Sequence, residues 1–244
     1  MAPAAPAAIE DAIARTLKAL DLDAVRRTYR EQDEFVYIDR LFPEDVIGPM
    51  VEEVERAKPR LNRNYIPRHK KGGSVSYYTL REQAPGIMAL YQSASFLQFV
   101  RDVTGAAANP CPESDPHACA LYYYTEPGDH IGFHYDTSYY KGTRYTVLLG
   151  LVERSSSRLV CQVHRHDPAR MREVELATEP GTFILFNGDK LWHKITPLGE
   201  HEERVSLTLE YVTDASMTPA KRFVSNMKDA IAYFGFRSVF RRRA

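Results

Sequence analysis

From about residue 117 the sequence breaks into short runs dense in Tyr, Thr, Val, Leu and Phe, at 118–126, 145–152, 158–163, 172–177, 182–186 and 204–213. Each run has the length of a strand, and the pairs Pro127-Gly128, Pro180-Gly181 and Asn187-Gly188 punctuate them as turns. Strands at this spacing predict a closed or double-sheet β fold.

The first half has a different texture. Residues 9–30 place Ile13, Leu17, Leu20 and Val25 near helical spacing and predict an amphipathic helix. A short strand is expected at 34–39. A second helix is expected at 44–57, opened by Pro43 and striped by Val46, Ile47, Met50, Val51 and Val54. Residues 58–73 have almost no period and hold Arg60, Arg63, Arg68, Lys70 and Lys71 ahead of Gly72 and Gly73. This stretch reads as a mobile basic loop with a glycine hinge. It could close over a substrate carboxylate, although runs of charge are usually solvated faces. A strand is expected at 74–80 and a helical pair at 85–104, with Gly105 as its C-cap.

One domain is expected over 9–244, after a loose N-terminus at 1–8. It consists of a helical layer (9–105), a β core (117–213) and a C-terminal helix (219–235). Apolar residues make up 44% of the 244 and charged residues 26%, enough for a full core. Lys plus Arg equals Asp plus Glu at 32 each, so nothing points to nucleic acid, and a small or neutral substrate fits better. Cys111, Cys119 and Cys161 form no CxxC pair and suit a reducing compartment. The opening segment lacks the basic and apolar regions of a secretory signal, and no apolar run is long enough for a membrane span. A soluble cytoplasmic protein is expected, of undetermined oligomeric state.

Chemistry concentrates at His134-Tyr135-Asp136 and, 57 positions later (193 − 136), at His193. Side chains alternate along a strand, so His134 and Asp136 share a face if their backbone is extended, and His193 would join them from a neighbouring strand. Two imidazoles and a carboxylate form a facial triad. It leaves three positions of an octahedron open, as an iron(II) centre needs in order to take a keto acid and O2. A lone HxD is weak evidence, since most such pairs are ordinary surface or core residues. Here Arg204-Val205-Ser206 follows His193, and a guanidinium with a hydroxyl two residues on can hold a carboxylate.

In these residues the chain resembles the 2-oxoglutarate and iron(II) oxygenase superfamily, whose pattern is HxD, a distal His, and RxS about ten residues later. The run 180–188 leading into Leu191-Trp192-His193 is similar to that family's turn and strand before the distal histidine. The likeness covers roughly residues 118–213, with a weaker one to prolyl-hydroxylase-type relatives in the helical part. It implies a distorted double-stranded β-helix, a jelly-roll relative of α+β class, with buttressing helices. It also implies His134, Asp136 and His193 on Fe(II), and 2-oxoglutarate held by Arg204 and Ser206. With O2 as oxidant, a C–H bond is hydroxylated while the keto acid leaves as succinate and CO2.

A closer likeness is to the bacterial subgroup that acts on free amino acids and contains hydroxylases and halogenases, the lysine halogenase being its type. Halogenating members have Gly where this chain has Asp136, so hydroxylation is the expected outcome here.

Further candidates are less specific. Tyr122 and Tyr124 share one strand face and Tyr123 the other, so at least one should point inward, where its hydroxyl could meet the co-substrate, although core packing explains them equally well. His130, at an even offset from His134, would face the metal on an unbroken strand. Thr137 and Tyr139 lie in a plausible substrate rim, and Trp192 adjoins a ligand and could wall the pocket or simply pack. His164, His166 and His201 lie in polar segments without an evident role. The primary substrate is expected to be a small molecule, an amino acid or derivative. A peptidyl hydroxylase of the prolyl type and a non-catalytic 2-oxoglutarate-binding module are the alternatives.

Overall fold

The structure, a computed structural model, describes residues 6–136 and 139–218. The helix expected at 219–235 and the candidate Thr137 lie outside the described residues.

The first predicted helix is two. α1 (Pro6–Lys18) begins inside the stretch read as loose, and α2 (Leu22–Glu31) starts afresh where the Asp21 carboxylate accepts from Ala24 N at 2.9 Å. After β1 (Phe35–Ile38), α3 (Glu44–Ala57) follows Pro43 as expected. α3 presents the buried Glu53, which accepts from Gly86 N and Ile87 N at 2.7 and 2.8 Å and satisfies the first turn of α5 (Pro85–Gln92). α6 (Ala94–Thr104) ends on Gly105 at φ 69°, the left-handed cap read from the sequence.

The basic stretch is not a loop. It forms an antiparallel hairpin of β2 (Asn62–Ile66) and β3 (Lys70–Val75), and Gly72 and Gly73 sit inside β3 rather than at a hinge. A Cβ at Gly73 would lie 2.4 Å from Leu61 Cδ1, so the glycine serves close approach. Nor does the strand expected at 74–80 run on. β3 ends at Val75 and α4 (Tyr77–Gln83) takes over, burying Tyr77 and Leu80 at a three-residue spacing.

The remaining strands are β4 (Asn109–Pro110), β5 (Cys119–Tyr124), β6 (His130–His134), β7 (Arg144–Arg154) and β8 (Leu159–Val163). β9 (Arg172–Leu176), β10 (Phe183–Asn187), β11 (Trp192–Ile195) and β12 (Glu203–Val212) complete them. Among the described residues all pair antiparallel in one curled sheet, ordered β1-β10-β7-β12-β5-β3-β6-β11-β8-β9, with β2 on β3 and β4 on β12. The fold is the double-stranded β-helix expected. One half (β1, β10, β7, β12, β5) faces the other (β6, β11, β8, β9), and β3 bridges them.

Two apolar clusters fill the layers. Helical residues such as Met50, Leu80, Ile87 and Phe96 pack with Val147, Leu149, Leu207 and Leu209 on the outer face of the first half. Leu148, Leu159, Ile184, Phe186 and Ile195 fill the space between the halves. Strands β7 and β12 are therefore covered on both faces, which explains their nearly continuous burial. The three cysteines are buried and unpaired. Among the described residues no helix is long and apolar enough to cross a membrane.

Asp129 fastens the hairpin to the barrel. Fully buried, it accepts from Arg63 Nη2 and Nη1 at 2.6 and 2.8 Å, and from Thr125 N and Glu126 N at 2.9 and 3.1 Å. Burial alone would raise its pKa, but Arg63 and the two backbone donors outweigh it and hold the carboxyl below its ordinary value. A folded pKa below the unfolded one stabilises the protein above about pH 4, and that contribution is lost as pH falls through the folded value. Asp129→Asn should therefore lower the unfolding free energy near pH 7 by roughly 3 kcal/mol. It should also flatten the loss of stability between about pH 4 and 2, both measured by urea titration across pH.

Candidate metal centre

Strands β6 and β11 bring the two candidate imidazoles together. His193 lies opposite His134 in the ladder, with ring centroids 4.3 Å apart. On β11, His193 and Ile195 are buried while Trp192 and Lys194 turn outward, as alternation requires. β6 does not alternate. Ile195 pairs with Ile131, three residues from His134, while β11 advances only two, so a β-bulge separates the pairs. The extra residue puts Ile131 and His134 on the inner face together and turns His130 outward, where its Nδ1 lies 2.8 Å from Gly128 O. His130 is thus not on the metal's side, and the assumption of an unbroken strand fails at the bulge.

Asp136 lies just past the end of β6, not on it. Its Oδ1 is 3.4 Å from His134 Nε2 and 3.9 Å from His193 Nε2, and one ligand atom from each of the three groups lies within 4.8 Å of the others. Ligands at right angles and about 2.1 Å from one ion would be about 3 Å apart, so the triad is close to a binding geometry. The far ring nitrogens are engaged: His134 Nδ1 is 2.9 Å from Gly132 O, and His193 Nδ1 is 3.1 Å from Leu191 O. Those carbonyls fix the tautomer that leaves each Nε2 lone pair facing the centre.

Charge favours the same use. Burial would raise the Asp136 carboxyl, but His193 and His134 outweigh it and hold the group well below the usual carboxylate range. Burial lowers His193 to about 4, against the opposing pull of Asp136. An ionised carboxylate and a neutral imidazole are the metal-donating forms. His134 is raised, because its hydrogen bond to Asp136 and that charge outweigh burial.

A chain of polar groups supports Asp136. Thr146 Oγ1 lies 3.0 Å from Asp136 Oδ2 and 2.9 Å from Glu210 Oε2, and Arg144 Nε donates to that same Glu210 oxygen at 2.7 Å. Burial, partly offset by Arg144, raises the Glu210 carboxyl to about 7. None of these three was singled out from sequence. The signal for Glu210 was present: Arg204, Ser206, Thr208 and Glu210 alternate with Val205, Leu207 and Leu209, marking one polar face of a buried strand.

The triad opens into a cavity of about 660 Å³ lined also by Tyr122, Tyr124, Tyr139, Thr146, Ser206 and Glu210, a volume suited to a small ligand. Arg204 is not part of the lining: it is fully buried and paired across the ladder with Tyr124, which does line the cavity. The irregularity between Val205 and Ser206 sets Glu153 opposite Arg204, with Oε2 3.6 Å from Nη1, beyond hydrogen-bond distance. Arg204 Nε, Nη1 and Nη2 and Ser206 Oγ have no hydrogen-bond partner. Four buried donor atoms left without acceptors are costly; Glu153 offsets the charge without accepting a hydrogen bond, and an anionic ligand would fit the donors that remain. Burial also pushes the guanidinium below its ordinary pKa, with Glu153 opposing.

The other candidates separate cleanly. Tyr122, Tyr124 and Tyr139 face the cavity, whereas Tyr123 turns away to donate to Val54 O at 2.7 Å. Trp192 does not wall the pocket. It stacks outside on Phe133 with parallel rings 6.0 Å apart, and the Arg165 guanidinium lies over the Trp192 ring, 4.7 Å from its centre.

No family model and no curated protein matches the sequence. Solved structures do resemble the fold. The non-heme alpha ketoglutarate dependent epimerase SnoN from nogalamycin biosynthesis matches at TM-score 0.65 and 14% identity, over 78% of this chain and 80% of its own. A prolyl hydroxylase from Trichoplax adhaerens, in complex with a hypoxia inducible factor peptide fragment, matches at 0.65 and 14%, over 86% and 94%. A prolyl-4-hydroxylase from Pseudomonas putida matches at 0.54 and 17%, over 80% and 100%. SnoN has also been solved with Fe3+ and alpha ketoglutarate. At such identities these neighbours establish the shared fold.

Asp136→Ala, which removes the anionic ligand, is expected to weaken Mn(II) binding at least about 100-fold, and Thr146→Val about tenfold. His130→Ala and Trp192→Phe should leave it unchanged. Calorimetric titration of the metal-free protein measures all four.

Proposed function

We propose that this chain is an iron(II)- and 2-oxoglutarate-dependent oxygenase that hydroxylates an unactivated C–H bond of a small substrate, a free amino acid or a derivative. The observation that carries the reading is the buried Arg204 guanidinium, without a hydrogen-bond partner, on the strand face of Ser206, which lines the cavity whose wall holds His134, Asp136 and His193. A metal triad alone fits many reactions. A triad near buried guanidinium and hydroxyl donors that lack acceptors fits a metal that works with a dicarboxylic co-substrate.

In this reading His134, Asp136 and His193 hold iron, and Arg204 with Ser206 holds the distal carboxylate of 2-oxoglutarate. The bound metal, with the keto acid and O2, supplies the oxidant for hydroxylation. Tyr124 is buried, which raises its phenol despite the opposing charge of Arg204, so its hydroxyl stays protonated and able to donate. Tyr122 stands on the same strand face, opposite Ser206. Leu148, Leu159, Phe186 and Ile195 keep the cavity wall apolar and limit the water near the centre. Asp136 occupies the coordination position that a halide would need, which favours hydroxylation over halogenation.

A second reading, a peptidyl hydroxylase, is favoured by the exposed Tyr65 and Ile66 of the β2–β3 hairpin, which also line the cavity and could meet a chain crossing its mouth. The peptide-bound neighbour from Trichoplax adhaerens fits it equally well. Succinate release from free amino acids and from proline-containing peptides, compared at equal concentration, decides between them.

Arg204→Ala should weaken 2-oxoglutarate binding about 100-fold, the worth of a lost charged hydrogen-bond pair, while Mn(II) affinity stays unchanged. Loss of metal binding with intact 2-oxoglutarate affinity would overturn the assignment. With the preferred substrate in high chloride, mass analysis should find a gain of one oxygen, and a dominant chlorine isotope pattern would refute hydroxylation.

A further inference from the structure

The cavity carries one cation that neither the proposed metal site nor the proposed co-substrate site uses. Among the described residues three Lys or Arg side chains line it: Arg63, Lys70 and Arg144. Arg63 is neutralised by Asp129 and by Glu126, at 2.6 and 2.9 Å, and Arg144 by Glu210 at 2.7 Å. Lys70 makes no ion pair and no hydrogen bond among the described residues; its Nζ rests 4.8 Å from the centre of the Tyr122 ring, and the one carboxylate that acts on its charge is the more distant Asp136.

Register explains why it points inward. Lys70 lies opposite Ile131 on β6, and directly opposed residues of an antiparallel pair project to the same face, here the face that lines the cavity. Lys70 therefore leans over Tyr122, on the bridge between the two halves of the sheet. An aromatic ring compensates an ammonium only in part for lost water, so a site of this kind favours a ligand that brings negative charge.

We infer that Lys70 anchors a carboxylate of the primary substrate, which makes that substrate a free amino acid rather than an internal residue of a peptide. The inference rests on the oxygenase reading. In that reading the two carboxylates of 2-oxoglutarate are already matched, one by Arg204 and Ser206 and the other by the metal, so the leftover cation faces the other reactant. The acids of the lining are engaged elsewhere: Asp136 acts on Lys70 only at a distance and in that reading is taken by the metal, Asp115 accepts from Tyr140 Oη and His117 N, each at 2.8 Å, and Glu210 holds Arg144. An internal peptide residue presents neutral amides at its termini and would leave Lys70 without a counter-charge.

The test uses full-length protein loaded with Mn(II) and 2-oxoglutarate under anaerobic conditions, titrated calorimetrically with the free proteinogenic L-amino acids and with their carboxamides. At least one acid should bind, and its amide should bind about 10- to 100-fold more weakly. Lys70→Met should weaken the acid by a similar factor and erase the difference between acid and amide, while Lys70→Arg retains part of it. 2-Oxoglutarate affinity, measured without amino acid, should stay within about twofold in both variants, a margin far below the effect of a lost charged hydrogen bond. This also shows that the variants fold.

Equal binding of acid and amide would overturn the inference, as would binding of proline-containing peptides in place of any free amino acid. Lost 2-oxoglutarate affinity in Lys70→Met with amino-acid affinity intact would transfer the residue to the co-substrate. If the metal-loaded wild type binds no 2-oxoglutarate, the oxygenase reading itself fails, and that outcome is separate from the others.

Discussion

The inner face of β12 carries Arg204, Ser206, Thr208 and Glu210 in succession, four polar side chains set two residues apart inside an otherwise apolar double sheet. Burying such a row is unfavourable unless each group finds a partner. The structure answers differently at the two ends. Glu210 is satisfied within the chain by Arg144 and lies beside Thr146, which links it to Asp136. Arg204 and Ser206 are left without hydrogen-bond partners. The satisfied end braces Asp136 of the candidate triad, and the unsatisfied end leaves donors free for the proposed anionic co-substrate. One strand thus connects both halves of the proposed chemistry.

The metal geometry depends on a local departure from regular pairing. Without the bulge between the His134–His193 and Ile131–Ile195 pairs, an inward His134 would bring His130 and Gly132 to the inner face in place of Ile131. The bulge replaces a polar imidazole with an apolar wall and aims His134 at its partner. Asp136, beyond the strand end, is then positioned by Thr146 rather than by the ladder. The helical layer contributes indirectly. By covering the outer face of β7 and β12 it allows both strands to be buried on both sides, which holds their inner side chains in place.

The β2–β3 hairpin shows how tertiary pairing changes the meaning of charge. Arg63 is fixed by Asp129 in the turn before β6, and Lys71 donates to Pro127 O at 2.8 Å in the same turn. These contacts tie the hairpin to the barrel and make β3 the strand that joins the two halves of the sheet. Lys70, from the same basic run, faces inward instead. Three neighbouring cations therefore differ in role according to register, a distinction that charge density along the chain does not carry.

Much of the molecule was legible in the sequence because its determinants are local. The turn pairs and short apolar runs mark most of the strands, Gly105 marks a helix end, and HxD, the distal histidine and the serine of RxS supply side chains that converge on the cavity. Even Glu210 was readable from two-residue periodicity. Other features depend on partners distant in sequence. The hairpin at 62–75 gains its order from Asp129 and from pairing with β5 and β6, and Gly73 its place from the close approach of Leu61. His130 and Trp192 leave the cavity because of a bulge and a strand face. Lys70 enters it because it lies opposite Ile131. Residue types set which chemistry is available, and long-range register decided which of those residues face one another, because a shift of one position on a strand moves a side chain to the opposite face.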